Sequence, residues 1–228
     1  MFSKILEVVK VLLWPILFGI GQVFICGAFM LVYMVQNSDV NWNDVSSNAI
    51  LLNYMNNQTL FIVGMECFIF IPLFCFIYKK YRVERVPIST KRIALLCVAS
   101  FLLSFILNFL IIMGKHFLQI EMVLSPITIT IIVATGILGP ILEELLFRGI
   151  VYGRLSIVFH EKVAFYLSVV IFALFHTGGI FQIVFAFLIG YFLTFVYKKY
   201  HNIQLSMFLH IIVNITSILL SPWIFSLF

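Results

Sequence analysis

The chain has 228 residues, of which 63% are hydrophobic and only 10% charged, and its mean hydropathy is +1.16. That composition lies outside the soluble globular range and points to an integral membrane protein. The net charge of +5 would suit a nucleic-acid partner in a soluble protein. Here the basic residues sit in short segments between apolar runs, which is a pattern of membrane topology and not of a nucleic-acid-binding patch.

A membrane helix needs about 20 apolar residues, and such runs fall at 11–35, 59–78, 93–113, 126–147, 163–177, 180–197 and 203–221. The stretch 149–159 either extends the fourth run or lies along the interface. The expected fold is therefore all-α, a polytopic transmembrane helical bundle of about seven spans, or eight if 149–159 counts separately. Pro15 falls early in the first span, where proline is tolerated. That first run is too long for a signal peptide and no small-residue cleavage site follows it, so it is expected to remain as a span.

With a cytoplasmic N-terminus, all of the 14 Lys and Arg residues except Lys115 fall on the inner side, as the positive-inside rule favours. The base-free polar stretch from Gln36 to Gln58 then reads as an extracytoplasmic loop. The four cysteines (Cys26, Cys67, Cys75, Cys97) lie inside apolar runs without metal-type spacing and read as small buried hydrophobes. No internal repeat is visible, which removes support for an inverted-repeat transporter. Glu66, early in the second span, is an isolated intramembrane acid for which a structural role is expected.

The chemistry concentrates in the second half. Glu143 and Glu144 adjoin an unbroken apolar run, and an ionised side chain near a bilayer centre costs roughly 2.5–3.5 kcal/mol. Successive helical residues are about 100° apart, so the two acids face different points, whereas Glu144 and Arg148 are four apart and can pair. Glu144 is then held by Arg148, and Glu143 is free to act on a water or a ligand. Two further helices carry Phe172-x-x-x-His176, followed by Thr177-Gly178-Gly179 as a turn, and His210-x-x-x-Asn214. Each pair lies on one stripe of its helix. A carboxylate with a histidine can move a proton from water to a leaving amine, and a second histidine and an asparagine amide can donate to a developing oxyanion. No serine or cysteine sits in a nucleophile motif beside these histidines, so water is the expected attacking group. His116, His160 and His201 fall in loops and are assigned no role.

In that order on successive apolar helices, Glu143-Glu144-x-x-x-Arg148, Phe172-x-x-x-His176 and His210-x-x-x-Asn214 resemble the three motifs of the CPBP family, the CAAX proteases and bacteriocin-processing enzymes also called the Abi family. Pro140 ahead and Phe147-Arg148-Gly149 behind strengthen the match, which covers about residues 126–221. The resemblance implies an intramembrane endopeptidase in which Glu143 and His176 activate water, His210 and Asn214 form the oxyanion hole, and Glu144 with Arg148 holds the site. It implies a single membrane domain, with N-terminal helices over 1–110 and the catalytic helical core over 111–228. The partners expected are the lipid bilayer and a peptide or protein substrate, of CAAX type or a bacteriocin leader, with no nucleic acid. The location implied is a bacterial cell membrane. Family members are often labelled metalloproteases, and Glu143, His176 and His210 are the candidate ligands if zinc is bound. The sequence has no His-Glu-x-x-His motif, and the resemblance equally admits a metal-free glutamate mechanism, so the metal stays open, with a slight lean against it. Two other readings compete: a non-catalytic bacteriocin immunity or scaffold protein that retains the motifs, and a proton-coupled transporter using Glu143, Glu144 and His176.

Overall fold

In lipid a backbone amide has no water to bond, so each apolar run satisfies its own peptide groups as a helix. A computed structural model describes residues 2–38, 45–120 and 127–228. Over these residues the chain forms α1 (Phe2–Gln36), α2 (Val45–Tyr78), α3 (Thr90–Phe117), α4 (Ile129–Val158), α5 (Glu161–Phe175), α6 (Ile180–Tyr200) and α7 (Ile203–Phe225). The all-α, polytopic helical bundle expected from the sequence is what forms. Large apolar side chains such as Phe24, Phe68 and Phe76 point outward, as a lipid-facing surface requires.

Six of the helices, all but α5, are long and apolar enough to cross a membrane. The segment read as a fifth span, 163–177, is a helix of 15 residues, about 22 Å long and shorter than a hydrocarbon core of about 30 Å. Residues 149–159 do not lie apart along an interface; the helix runs on through them as far as Val158. The loop expected from Gln36 to Gln58 is also revised. Positions 39–44 lie outside the described residues, but from Val45 onward the chain is already helical. Tyr33 of α1 stacks on Tyr54 of α2 with ring centroids 4.0 Å apart, which carries the α1–α2 pairing past the apolar run and keeps this polar stretch in a helix. The four cysteines are free and half-buried, not buried, because the helices that carry them face lipid on one side.

Basic segments gather at one end of the bundle. Arg154 at the end of α4 binds Glu7 of α1 through Nη2 at 2.9 Å and Nε at 3.1 Å. Lys198 at the end of α6 meets Glu161 at the start of α5 at 2.9 Å. The link after α2 joins the same end: Arg85 donates to Gln204 at 3.1 Å, and the Val86 amide donates to the Tyr200 carbonyl at 2.9 Å.

Between α3 and α7 the contact is polar. Ser104 Oγ donates to the Val213 carbonyl at 2.9 Å, Asn108 Nδ2 donates to Ser217 Oγ at 2.9 Å, and Ser221 Oγ donates to Asn108 Oδ1 at 3.2 Å. Helices in lipid gain no hydrophobic drive toward one another, so small residues and hydrogen bonds of this kind hold them together. Asn108→Leu removes two of these bonds and is expected to lower stability by about 1–2 kcal/mol. Thermal unfolding of the detergent-solubilised protein measures that loss.

Candidate active site

Helix α4 is not uniform, and its irregularity begins with a proline. Turns of ordinary α-helix alternate with wider π-helical turns over Ile132–Leu138 and Leu145–Tyr152, a feature common at functional sites. In the first wide turn the Gly139 amide bonds the Ala134 carbonyl, five residues back. The next bond of that series would run from residue 140 to the Thr135 carbonyl, but Pro140 has no N–H to give. Asn214 of α7 takes the vacancy, donating from Nδ2 to Thr135 O at 2.9 Å. One proline in α4 thus creates the acceptor that anchors Asn214.

Glu144 and Arg148 are completely buried and pair at 2.7 Å, as their spacing predicts. Glu144 also accepts from Ser206 Oγ at 2.5 Å and from His210 Nδ1 at 2.8 Å, both on α7. The Arg148 guanidinium lies 4.2 Å over the Phe172 ring of α5, and its Nη2 reaches the Gly190 carbonyl of α6 at 3.4 Å. A Cβ at Gly190 would meet Phe172 Cδ1 at 2.7 Å, so only glycine lets that ring slide beneath the guanidinium. The expectation that Arg148 belongs to the inner-side basic segments is therefore corrected. Because α4 continues past it, Arg148 sits inside the bundle.

Glu143 faces a different direction, also as predicted. Its carboxylate opens onto a cavity of about 270 Å³ whose lining includes Thr135, Phe172, His176, His210 and Asn214. Glu143 Oε2 is buried without a hydrogen-bond partner. It lies 3.7 Å from His176 Nε2 and 3.8 Å from His210 Nε2. These separations exceed hydrogen-bond length, though catalytic contacts commonly tighten only once substrate is present.

Hydrogen bonding on the far side of each ring assigns the tautomers. His176 Nδ1 contacts the Phe172 carbonyl at 2.9 Å, and a carbonyl can only accept, so Nδ1 carries the proton. His210 Nδ1 contacts the Glu144 carboxylate, and the same logic applies. In their neutral forms both rings present an Nε2 lone pair toward Glu143. The turn after α5 supports this placement, since Gly179 adopts φ +92°, a left-handed conformation natural to glycine. On α7, the Asn202 side chain caps the first turn by accepting from the Leu205 amide at 3.1 Å.

All six residues singled out from the sequence converge here: Glu143, Glu144, Arg148, His176, His210 and Asn214. Ser206, Thr135 and Gly190 were not anticipated. Ser206 had a visible signal, since Ser206, His210 and Asn214 recur at intervals of four on one stripe. Among the described residues, no group of three or more His, Cys, Asp or Glu side chains is disposed to hold a metal ion. No step below is derived through a metal.

Residues 125–216 match the family model described as Type II CAAX prenyl endopeptidase Rce1-like. The segment includes all six residues and bears out the resemblance read from the motifs. UPF0177 protein YxdF of Lactococcus lactis subsp. lactis (strain IL1403) is 39% identical over 80 residues, which is 35% of this chain and 44% of that protein. The chain thus matches less than half the length of that relative. No solved structure matches it.

The two adjacent acids are expected to separate on substitution. Glu144→Ala leaves the Arg148 guanidinium buried and unpaired, at a cost of about 3–5 kcal/mol. Glu143→Ala removes a carboxylate that satisfies no other group and is expected to change stability by less than about 1 kcal/mol. Thermal unfolding of both variants in one detergent gives the comparison, and equal losses would contradict the division of labour.

Proposed function

We propose, from the match of residues 125–216 to the family model described as Type II CAAX prenyl endopeptidase Rce1-like, that the protein is an intramembrane endopeptidase in which Glu143 and His176 activate a water. The observation that carries the reading is the bare Glu143 Oε2 with the Nε2 atoms of His176 and His210 at 3.7 and 3.8 Å on the wall of one cavity.

In this mechanism Glu143 accepts a proton from water, with the His176 Nε2 lone pair orienting the water or sharing the proton. The hydroxide adds to the scissile carbonyl carbon. Asn214 has one N–H committed to Thr135 O and a second left for the oxyanion. His210 donates to the same oxygen from Nε2 when doubly protonated, while its Nδ1–H stays on Glu144. The captured proton then passes to the amide nitrogen, the C–N bond breaks and the amine leaves. Glu144 and Arg148 touch no reacting atom; they hold His210 and the surrounding helices in place.

The substrate proposed is a membrane-associated protein or peptide, of CAAX type or a bacteriocin leader. Residues 111–228 carry the catalytic core and 1–110 supply further helices around it. Counting from the basic end at about 1.5 Å per residue, His210 lies about 10 Å deep along α7 and His176 about 22 Å deep along α5. We assign that basic end to the cytoplasmic face of a bacterial membrane, by the positive-inside rule.

Cleavage of quenched fluorogenic peptides by protein in lipid nanodiscs tests the assignment. Glu143→Gln and His176→Ala are expected to lower kcat/KM by about 10²–10⁴, and Asn214→Ala by about 10²–10³, with chromatographic elution unchanged. Undiminished cleavage by Glu143→Gln would sink the mechanism. A toxin-resistance phenotype that survives both of the first two substitutions would instead favour a non-catalytic immunity role.

A further inference from the structure

The cavity contains an acid that the proposed chemistry does not use. Glu66 of α2 is only 4% exposed and shares the cavity wall with Glu143, His176, His210 and Asn214. Gln22 of α1, on the same wall, donates to Glu66 Oε2 at 3.3 Å. Among the described residues Glu66 Oε1 has no hydrogen-bond partner. Counted from the basic end of the bundle, at Lys10 on α1 and Tyr78 on α2, each residue lies about 18 Å deep. That is the depth band of the two histidines. Both also fall outside the segment 125–216, so the family match assigns them nothing.

Charge decides what this wall can receive. The lining holds two carboxylates, Glu66 and Glu143, and no lysine or arginine. Arg148 is sealed away with Glu144 and Phe172. Both histidines turn Nε2 inward, with Nδ1 bonded elsewhere. The cavity is therefore lined by two carboxylates without a lysine or arginine, and an acid retained at membrane depth usually marks the path of a substrate or ion. A charge-assisted bond to a carboxylate in such surroundings is among the stronger polar contacts available. We propose that Glu66, positioned by Gln22, determines specificity by accepting a basic side chain, lysine or arginine, located within a few residues of the scissile bond. This rests on the peptidase reading and names the class of substrate that reading leaves open.

Two measurements separate the inference from its premise. The first is kcat/KM for peptides carrying lysine or its uncharged analogue norleucine at each position around the cleavage site. Wild type is expected to favour lysine by about tenfold or more at one position, and in Glu66→Gln the lysine-to-norleucine ratio falls to about one. Gln22→Lys supplies Glu66 with an internal cation and lowers the ratio in the same way, which decides the matter if Glu66→Gln does not fold. The second is fluorescence anisotropy of the same labelled peptides on the His176→Ala protein, with and without Glu66→Gln, where the same loss of lysine preference is expected in Kd. Equal rates for lysine and norleucine at every position, or a preference that neither variant moves, overturns the proposal while leaving the peptidase intact. No cleavage by wild type together with lysine-selective, Glu66-dependent binding overturns the peptidase and keeps the site.

Discussion

The second half of the molecule depends on one buried ion pair, Glu144 with Arg148. Two charges removed from water are costly, and their mutual attraction offsets the loss only with further contacts to the pair. The bundle supplies these by recruiting one helix after another: Ser206 and His210 of α7 on the carboxylate, the Gly190 carbonyl of α6 and the Phe172 ring of α5 on the guanidinium, with Arg148 Nε left without a hydrogen-bond partner. Neutralising one ion pair therefore fixes the relative positions of four helices. The demand for a smooth surface at Gly190 and for a hydroxyl at Ser206 follows from the same requirement.

Adjacent placement of the two acids turns this rigidity into chemistry. A step of about 100° along α4 gives Glu144 to the interior and Glu143 to the cavity, so one carboxylate is saturated and its neighbour is bare. His210 joins them, with Nδ1 on Glu144 and Nε2 near Glu143. Its ring orientation is set from behind by a group that does not itself face the cavity. A lone acid on this turn could serve as an anchor or as a base, but not as both.

Much of this was legible because helical geometry is local. The pairing of Glu144 with Arg148, the divergence of Glu143, the single stripe of His210 and Asn214 and the turn at Gly179 all follow from spacing. What escaped was set between helices. Gly190 looks like any membrane glycine until Phe172 is seen against it, and Thr135 matters only because Pro140 withholds an amide and Asn214 is at hand to replace it. The early start of α2 was hidden by polar composition and is supported by Tyr33 stacking on Tyr54. Glu66 read as an isolated structural acid because nothing near it in sequence announces a site. Its significance comes from α1 and α2 closing over a cavity whose chemistry is encoded more than 70 residues later.

The shortness of α5 belongs to the same logic. A 15-residue helix starting at the basic end stops about 22 Å in, and the chain from His176 to Gly179 is irregular before α6 begins. Backbone without a helical ladder is tolerated at such depth only where protein buries it or where it borders a wet cavity. His176 lies on that cavity's wall. Ending the helix there leaves the imidazole free to tie Nδ1 to the last turn through the Phe172 carbonyl while Nε2 faces Glu143. A full-length span would have carried the chain past this point in regular helix. The hydrolysis we propose needs a polar opening in the wall, and the early end of α5 places His176 at one.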